Sequence, residues 1–295
     1  MVRHRRRMLT GGAARRELAG RTILGVGLGA MNLSWAGGPR EADAVRVIRA
    51  ALDAGVQLVD TADVYAPSAD AVGHNERLVA RATRGRDVLI ATKGGVVRRG
   101  DEWRHDGRPE HLRAACEASL ARLGRIDLYY LHAVDESVPI EESVGALARL
   151  RDEGKIGAIG VSNVTPAQLE RALREAPIAA VQNEASPYRP SGLTDGTLAL
   201  CEARGVAFVA HSPMGGWRAR ETAHLPILRE LAAELGTSCF GVVIAWLLGA
   251  SDRAIAIPGA SRVENARASA AAAALSLTEA QRARLERALA AMAAC

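Results

Sequence analysis

Asp60, Tyr65, Lys93 and His132 recur at intervals of about one strand-plus-helix unit along the chain. Short apolar runs precede them: Val56-Gln57-Leu58-Val59 before Asp60, Val88-Leu89-Ile90-Ala91-Thr92 before Lys93, and Leu128-Tyr129-Tyr130-Leu131 before His132. A carboxylate, a phenol, an ammonium and an imidazole at the ends of consecutive parallel strands would converge on one pocket. Hydride delivery to a carbonyl leaves negative charge on oxygen, and a nearby acid must protonate or stabilise it. Tyr65 can be that acid if its ionisation is pulled toward neutrality, and a buried ammonium, Lys93, is the group expected to pull it. Asp60 would keep Lys93 charged and aimed. His132 would hydrogen-bond the carbonyl oxygen and orient it. Any one of these residues alone reads more simply as a cap or a satisfied polar group. Four complementary types in this order are harder to explain that way.

Such a set needs elements to hold it, and strand and helix signals alternate from residue 22 almost to the end. The patterns predict strands at 22–28, 58–60, 88–92, 128–131, 157–161, 179–182, 206–210 and 254–257. Between them they predict helices at 40–54, 75–83, 109–123, 140–153, 196–204, 225–235, 240–249 and 263–274. Another helix begins at Pro166 behind a Thr165 cap. A last one, 278–293, opens with a capping-box pattern of Ser276 or Thr278 with Glu279. Parallel neighbours need crossover connections, so this alternation implies a parallel sheet. Eight units in roughly 250 residues fit a (β/α)8 TIM barrel. The expected fold class is therefore α/β, with one barrel domain over 16–295. Residues 1–15 read as a disordered basic tail, and 16–21 as part of a hairpin plugging the barrel's N-terminal end.

Three strand-to-helix loops are long, 29–40, 94–108 and 211–223, and in a barrel such loops build the active-site face. Each carries a tryptophan: Trp35, Trp103 and Trp217. Aromatic residues make up only 3% of the chain, so these three are expected to line an apolar substrate pocket.

Bulk composition excludes several classes. With 48% apolar and 24% charged residues over 295 positions, a sizeable core is expected. The net charge of +5 is concentrated at the start, in Arg3, Arg5, Arg6, Arg7, Arg15, Arg16 and Arg21. No basic face interleaved with aromatics is present, so no nucleic-acid partner is expected. His4-Arg5-Arg6-Arg7 reads as a solvated terminus. No signal-peptide pattern and no run of about 18 apolar residues is found, so a cytoplasmic location and no membrane partner are expected. Cys116, Cys201, Cys239 and Cys295 are scattered, which suits free thiols and predicts no metal site. The oligomeric expectation is a monomer or weak homo-oligomer.

Longer motifs carry a resemblance. Asp60-Thr61-Ala62-Asp63-Val64-Tyr65, Ala91-Thr92-Lys93-Gly94-Gly95, Ile126-Asp127-Leu128-Tyr129-Tyr130-Leu131-His132 and Gly160-Val161-Ser162-Asn163 resemble the aldo-keto reductase family. The match runs from about residue 16 to about 270. Gly27-Leu28-Gly29-Ala30-Met31 and Gly73-His74-Asn75-Glu76-Arg77-Leu78 add to it. The resemblance implies an NADPH-dependent reductase of an aldehyde or ketone, with Asp60, Tyr65, Lys93 and His132 as the catalytic tetrad. It implies that Ser162, Asn163 and Gln182 hold the nicotinamide carboxamide. It also implies that His211, Ser212 and Pro213 follow strand seven beside the ring, His211 standing where the family usually has a large aromatic. Ile257-Pro258-Gly259-Ala260-Ser261-Arg262 resembles the phosphate-binding segment. There Arg262 suits the 2′-phosphate of NADPH, Ser261 adds a donor, and the following helix adds its N-terminal dipole.

The Asp-Thr-Ala-Asp-x-Tyr and Ala-Thr-Lys-Gly-Gly pair is most similar to bacterial reductases of the pyridoxal-reductase-like type. Pyridoxal is thus one candidate substrate, beside a sugar or a natural-product ketone. Two other functions compete. One is a non-catalytic NADPH-binding regulatory module on the same fold. The other is a barrel enzyme that uses Lys93 for a Schiff base. Gly25-Val26-Gly27-Leu28-Gly29-Ala30 also satisfies the dinucleotide fingerprint of a doubly wound fold, but its glycines sit inside a predicted strand with no helix opening at Ala30.

Overall fold

A computed structural model describes residues 12–35, 37–100 and 102–293. The chain opens with an antiparallel hairpin, β1 (Arg15–Leu18) and β2 (Arg21–Leu24), turned through Ala19 and Gly20 at positive φ. Then come β3 (Leu28–Gly29), α1 (Glu41–Asp53), β4 (Leu58–Asp60), α2 (His74–Thr83) and β5 (Leu89–Gly94). A second antiparallel hairpin follows, β6 (Val96–Arg99) and β7 (Glu102–His105). The alternation resumes with α3 (Pro109–Leu123), β8 (Leu128–Leu131), α4 (Ile140–Asp152), β9 (Ala158–Ser162), α5 (Pro166–Glu175) and β10 (Ile178–Glu184). After the short α6 (Ser191–Thr194) come α7 (Thr197–Arg204), β11 (Ala207–His211) and a single turn, α8 (Ala219–Thr222). The last elements are α9 (Pro226–Leu235), α10 (Cys239–Leu248), β12 (Ala254–Ala256), α11 (Val263–Ala271) and α12 (Glu279–Ala293).

Eight strands pair in parallel in the order β3-β4-β5-β8-β9-β10-β11-β12. Bridges Val26–Ala256 and Gly29–Gly259 close the sheet on itself. This is a (β/α)8 barrel, as expected. Alternate residues of the strands fill its interior: Leu58, Leu89, Leu128, Tyr130, Ala180, Val209 and Ile255, with Leu18 and Ile23 of the first hairpin among them. The hairpin therefore plugs the barrel. The opposite faces of the strands meet the helices in a second, larger core. Gly160 marks how tightly the interior is filled. A Cβ there would fall 2.3 Å from the Tyr130 ring, so this strand position is left without a side chain for the phenol to pass.

Three local expectations change. The apolar run 22–28 is not one strand. It divides between β2, which pairs only with β1, and β3, which joins the barrel. Gly27 lies between Leu58 and Ile257, where a Cβ would come within about 3 Å of both; the glycines let the chain bend from plug to wall. The loop 94–108 contains the β6–β7 hairpin, whose second strand is exposed throughout. The capping box before α12 pairs Thr278 with Gln281 and not with Glu279: Gln281 N–H donates to Thr278 Oγ1 at 3.2 Å, and Thr278 N–H donates to Gln281 Oε1 at 3.0 Å.

The tail expected over 1–15 falls largely on residues outside the described ones, His4-Arg5-Arg6-Arg7 included. Arg15, Arg16 and Arg21, read with that basic cluster, belong to the hairpin. Arg21 pairs with Asp87 at 2.6 Å. Cys116 and Cys201 are buried free thiols, both pushed up to about 12 by burial; Cys295 lies outside the described residues. Among the described residues no single helix is long and apolar enough to cross a membrane.

Candidate active site

Asp60 ends β4, Lys93 lies one residue before the end of β5, and His132 follows β8, so all three stand at the C-terminal mouth of the barrel. Lys93 is fully buried. Its Nζ donates to Asp60 Oδ1 at 2.5 Å, to the Thr61 carbonyl at 2.8 Å and to Tyr65 Oη at 3.4 Å. The other Asp60 oxygen accepts from Gln182 Nε2 at 2.7 Å. The Tyr65 and His132 rings meet edge to face, with centroids 5.7 Å apart.

Tyr65 sits on a turn and needs holding. Asn75 N–H, in the first turn of α2, donates to the Tyr65 carbonyl at 3.1 Å, and Gly73 N–H donates to the Asp63 carbonyl at 2.7 Å. Thr61 Oγ1 donates to Asn75 Oδ1 at 2.6 Å. The Gly-His-Asn-Glu motif thus clamps the segment that presents the phenol. Behind it, fully buried Glu76 receives Thr92 Oγ1 at 2.7 Å and pairs with Arg122 at 2.5 Å.

Electrostatics correct one expectation. Burial pushes the Tyr65 phenol above its usual value, and the Lys93 charge offsets this only in part. The phenol is therefore not drawn toward neutrality and stays protonated. Burial acts against charge on Lys93 too, but Asp60 and Tyr65 together outweigh it and hold the ammonium above its usual value. Burial, with Lys93 next, lowers His132 well below the usual imidazole value, so its ring is neutral. His132 Nδ1 is buried without a hydrogen-bond partner, which leaves Nε2 as the nitrogen that can serve a ligand.

One cleft of about 1190 Å³ opens over these groups. All the expected site residues except the submerged Lys93 line it. They are Asp60, Tyr65 and His132; Ser162, Asn163, Gln182, His211, Ser212 and Pro213; Ser261 and Arg262; and Trp35, Trp103 and Trp217. Trp35 and Trp103, from two separate loops, stack with centroids 6.2 Å apart. The Arg98 guanidinium lies within 6 Å of both rings and donates to the Ala66 carbonyl at 2.8 Å, so the pair is tied to the residue after Tyr65. Trp217 does not join that pair. It is 88% exposed on the loop after β11.

At the far end, Arg262 precedes α11, whose first turn has no side-chain cap. Uncapped N–H groups and a guanidinium suit an anion. Arg220, His224, Phe240, Asn265 and Ser269 also line the cleft and were not among the expected site residues. Arg220 and His224 sit in or next to the long loop that carries Trp217, a usable hint; Phe240, Asn265 and Ser269 lie on α10 and α11, whose apolar periodicity says nothing of a cleft. The space exceeds what a small carbonyl needs. It suits a long ligand, neutral and hydrogen-bonding at the barrel mouth and anionic at its other end.

Comparison with known proteins agrees with this architecture. The chain is 40% identical to "Probable aldo-keto reductase 1" of Glycine max over 198 residues, which cover 64% of this chain and 56% of that protein. The solved glycerol dehydrogenase of Gluconobacter oxydans superposes with a TM-score of 0.80 at 27% identity, covering 94% of this chain and 95% of that one. An aldo-keto reductase of Klebsiella pneumoniae, solved in complex with NADPH, gives 0.79 at 25% identity over 94% and 95% of the two chains. The model of the aldo/keto reductase family matches residues 25–290, and the chain belongs to that family.

Proposed function

We propose that this chain is an NADPH-dependent reductase that converts an aldehyde or ketone to an alcohol, with Tyr65 as the general acid. The observation that carries this reading is the buried Lys93 ammonium bridging Asp60 and Tyr65 beneath the cleft. The related Klebsiella pneumoniae structure, which holds NADPH, supports the choice of cofactor. So do the residues here. Ser162, Asn163 and Gln182 offer neutral donors and acceptors for a carboxamide, and Ser261 and Arg262 offer donors for a phosphate. When bound, the reduced nicotinamide supplies hydride to the carbonyl carbon. Neutral His132 donates to the carbonyl oxygen from Nε2 and holds it near Tyr65. Tyr65 gives its proton to that oxygen as negative charge develops. The Lys93 charge stabilises the phenolate left behind, and Asp60 keeps that charge in place.

The stacked Trp35–Trp103 pair favours a planar, aromatic carbonyl compound, and pyridoxal of the pyridoxal-reductase-like branch fits that description better than a sugar does. A purely regulatory NADPH-binding barrel has no use for a buried ammonium aimed at a phenol, since burying such charges rarely stabilises a fold.

Fluorescence titration of NADPH and NADH, followed by NADPH oxidation over a panel of carbonyl compounds, tests the proposal. Arg262→Ala is expected to weaken NADPH roughly tenfold and NADH little, because a charged hydrogen bond is worth about 1.5–3 kcal/mol. Tyr65→Phe is expected to bind NADPH normally and turn over nothing. Failure of the wild-type protein to bind either dinucleotide would overturn the reading.

A further inference from the structure

His211 ends β11, and both of its ring nitrogens are engaged. Nε2 lies 3.1 Å from Asn163 Oδ1, and Nδ1 lies 3.2 Å from Ser212 Oγ. The Asn163 amide cannot be turned over. Its Nδ2 donates at 3.0 Å to the His132 carbonyl, which only accepts, and at 3.1 Å to Ser162 Oγ. Oδ1 must therefore face His211, and since Oδ1 only accepts, His211 must carry its proton on Nε2. Nδ1 then accepts from the Ser212 hydroxyl.

The run continues to Asp60, on which donors from both sides converge. Ser162 Oγ donates to the Gln182 carbonyl at 2.7 Å, and the Gln182 side chain donates to Asp60. Asp60 receives Lys93, which reaches Tyr65. An ordered string of polar groups thus crosses the barrel mouth from Ser212 to the phenol. Backbone strain marks its His211 end. Asn163 and Ser212 hold φ of +56° and +49°, two of the three non-glycine residues at positive φ among those described. Such conformations persist only where the surroundings impose them.

We propose that His211 is a positioning residue: its Nε2–H fixes the Asn163 amide at the edge that meets the cofactor's carboxamide, and this bond, more than coverage of the nicotinamide ring, is its contribution to binding. The inference rests on the reductase reading for its ligand, but not for its geometry. A large aromatic at this position would offer a face and no hydrogen bond. In this chain the imidazole replaces area with direction.

Two substitutions separate the roles. His211→Phe keeps an aromatic face and removes both bonds. His211→Gln removes the ring and keeps a donor and an acceptor. Titration of NADPH into the folded proteins is expected to show His211→Phe weakened about tenfold, the upper range for one hydrogen bond. His211→Gln should return to within a few-fold of wild type. The opposite order, with Phe tight and Gln weak, would establish stacking and overturn the proposal. Nitrogen-15 NMR of the cofactor-free protein provides the second arm. His211 is expected as the Nε2–H tautomer, with the Asn163 side-chain amide shifting in His211→Phe. An Nδ1–H tautomer, or an Asn163 amide indifferent to the substitution, overturns the positioning role even if no dinucleotide binds. Absence of NADPH binding by wild type would sink the reductase reading alone.

Discussion

Lys93 and Asp60 sit together below the cleft, both buried, with Gln182 and the Thr61 carbonyl completing their hydrogen bonds. Burying two charges is expensive even when they pair, and removing one leaves the other uncompensated. Asp60→Asn is expected to lose about 3–5 kcal/mol of unfolding free energy in urea, with activity abolished. The double variant Asp60→Asn/Lys93→Met should recover much of that stability while remaining inactive. If the double variant proved as unstable as the sum of the single changes, the pair would not be acting as a unit. The same residues set the pH behaviour. Both His132 and His211 are lowered by burial first and Lys93 second, His211 to about 4. The unfolded chain therefore takes up protons at a pH where the folded chain does not. Their contribution to stability is complete above the unfolded value near 6.5 and declines as pH falls toward 4, by up to about 1.4 kcal/mol per pH unit for each ring. Tyr65 and Lys93 are both raised, so carbonyl reduction should show no alkaline loss between pH 7 and 9. An alkaline limb near 8 would mean that Lys93 wins over burial at the phenol.

The elements show which parts of this chain its sequence discloses. β4, β5 and β8 are legible because each is an apolar run buried on both faces and ended by a polar residue: Asp60, the Lys93-Gly94 pair, His132. The quartet was readable for that reason, its partners Gln182 and Thr61 less so, since their roles depend on distances across the barrel. The break between β2 and β3 is invisible to hydrophobic pattern, because both sides of it are apolar and only packing against Leu58 and Ile257 decides where the chain bends. The β6–β7 hairpin hides for the opposite reason: β7, Glu-Trp-Arg-His, buries no face and so has no alternation to read. Yet that hairpin delivers Trp103 to Trp35. If the pair forms a platform for planar substrates, benzaldehyde should exceed cyclohexanecarboxaldehyde in kcat/KM by about tenfold, as an aromatic contact worth roughly 0.5–1.5 kcal/mol would give. Trp103→Leu should bring the ratio near one while leaving NADPH affinity unchanged. A ratio that survives Trp103→Leu places aromatic selection elsewhere in the cleft.

Across the whole molecule the two ends of the barrel divide the work. Site residues gather at the C-terminal ends of the strands, as in other barrels of this design. The N-terminal end is closed by the β1–β2 hairpin, and a charged residue fastens it. Arg16 is buried, and its guanidinium donates to the carbonyls of Leu248 at 2.7 Å, Ala254 at 3.0 Å and Ser251 at 3.3 Å. Those carbonyls belong to the end of α10, the turn that follows and the start of β12, so one side chain ties the plug to the seam where the barrel closes. An arginine that the sequence places only within the plugging hairpin is thus a structural bolt, and only the fold reveals which carbonyls it answers. Arg16→Leu keeps the apolar stem and removes the guanidinium from all three carbonyls, of which Ser251 keeps the Ala254 N–H at 3.1 Å. The expected loss is about 2 kcal/mol, from two partly rehydrated acceptors, Leu248 and Ala254, that each forfeit roughly 1 kcal/mol. Because the bolt and the cleft lie at opposite ends of the strands, NADPH affinity and turnover per folded molecule should stay at wild-type values below the melting transition. A variant that melts early but binds and turns over normally supports this division. Weakened NADPH binding in protein shown by circular dichroism to be folded would mean that the plug sets the geometry of the mouth through the strands between them.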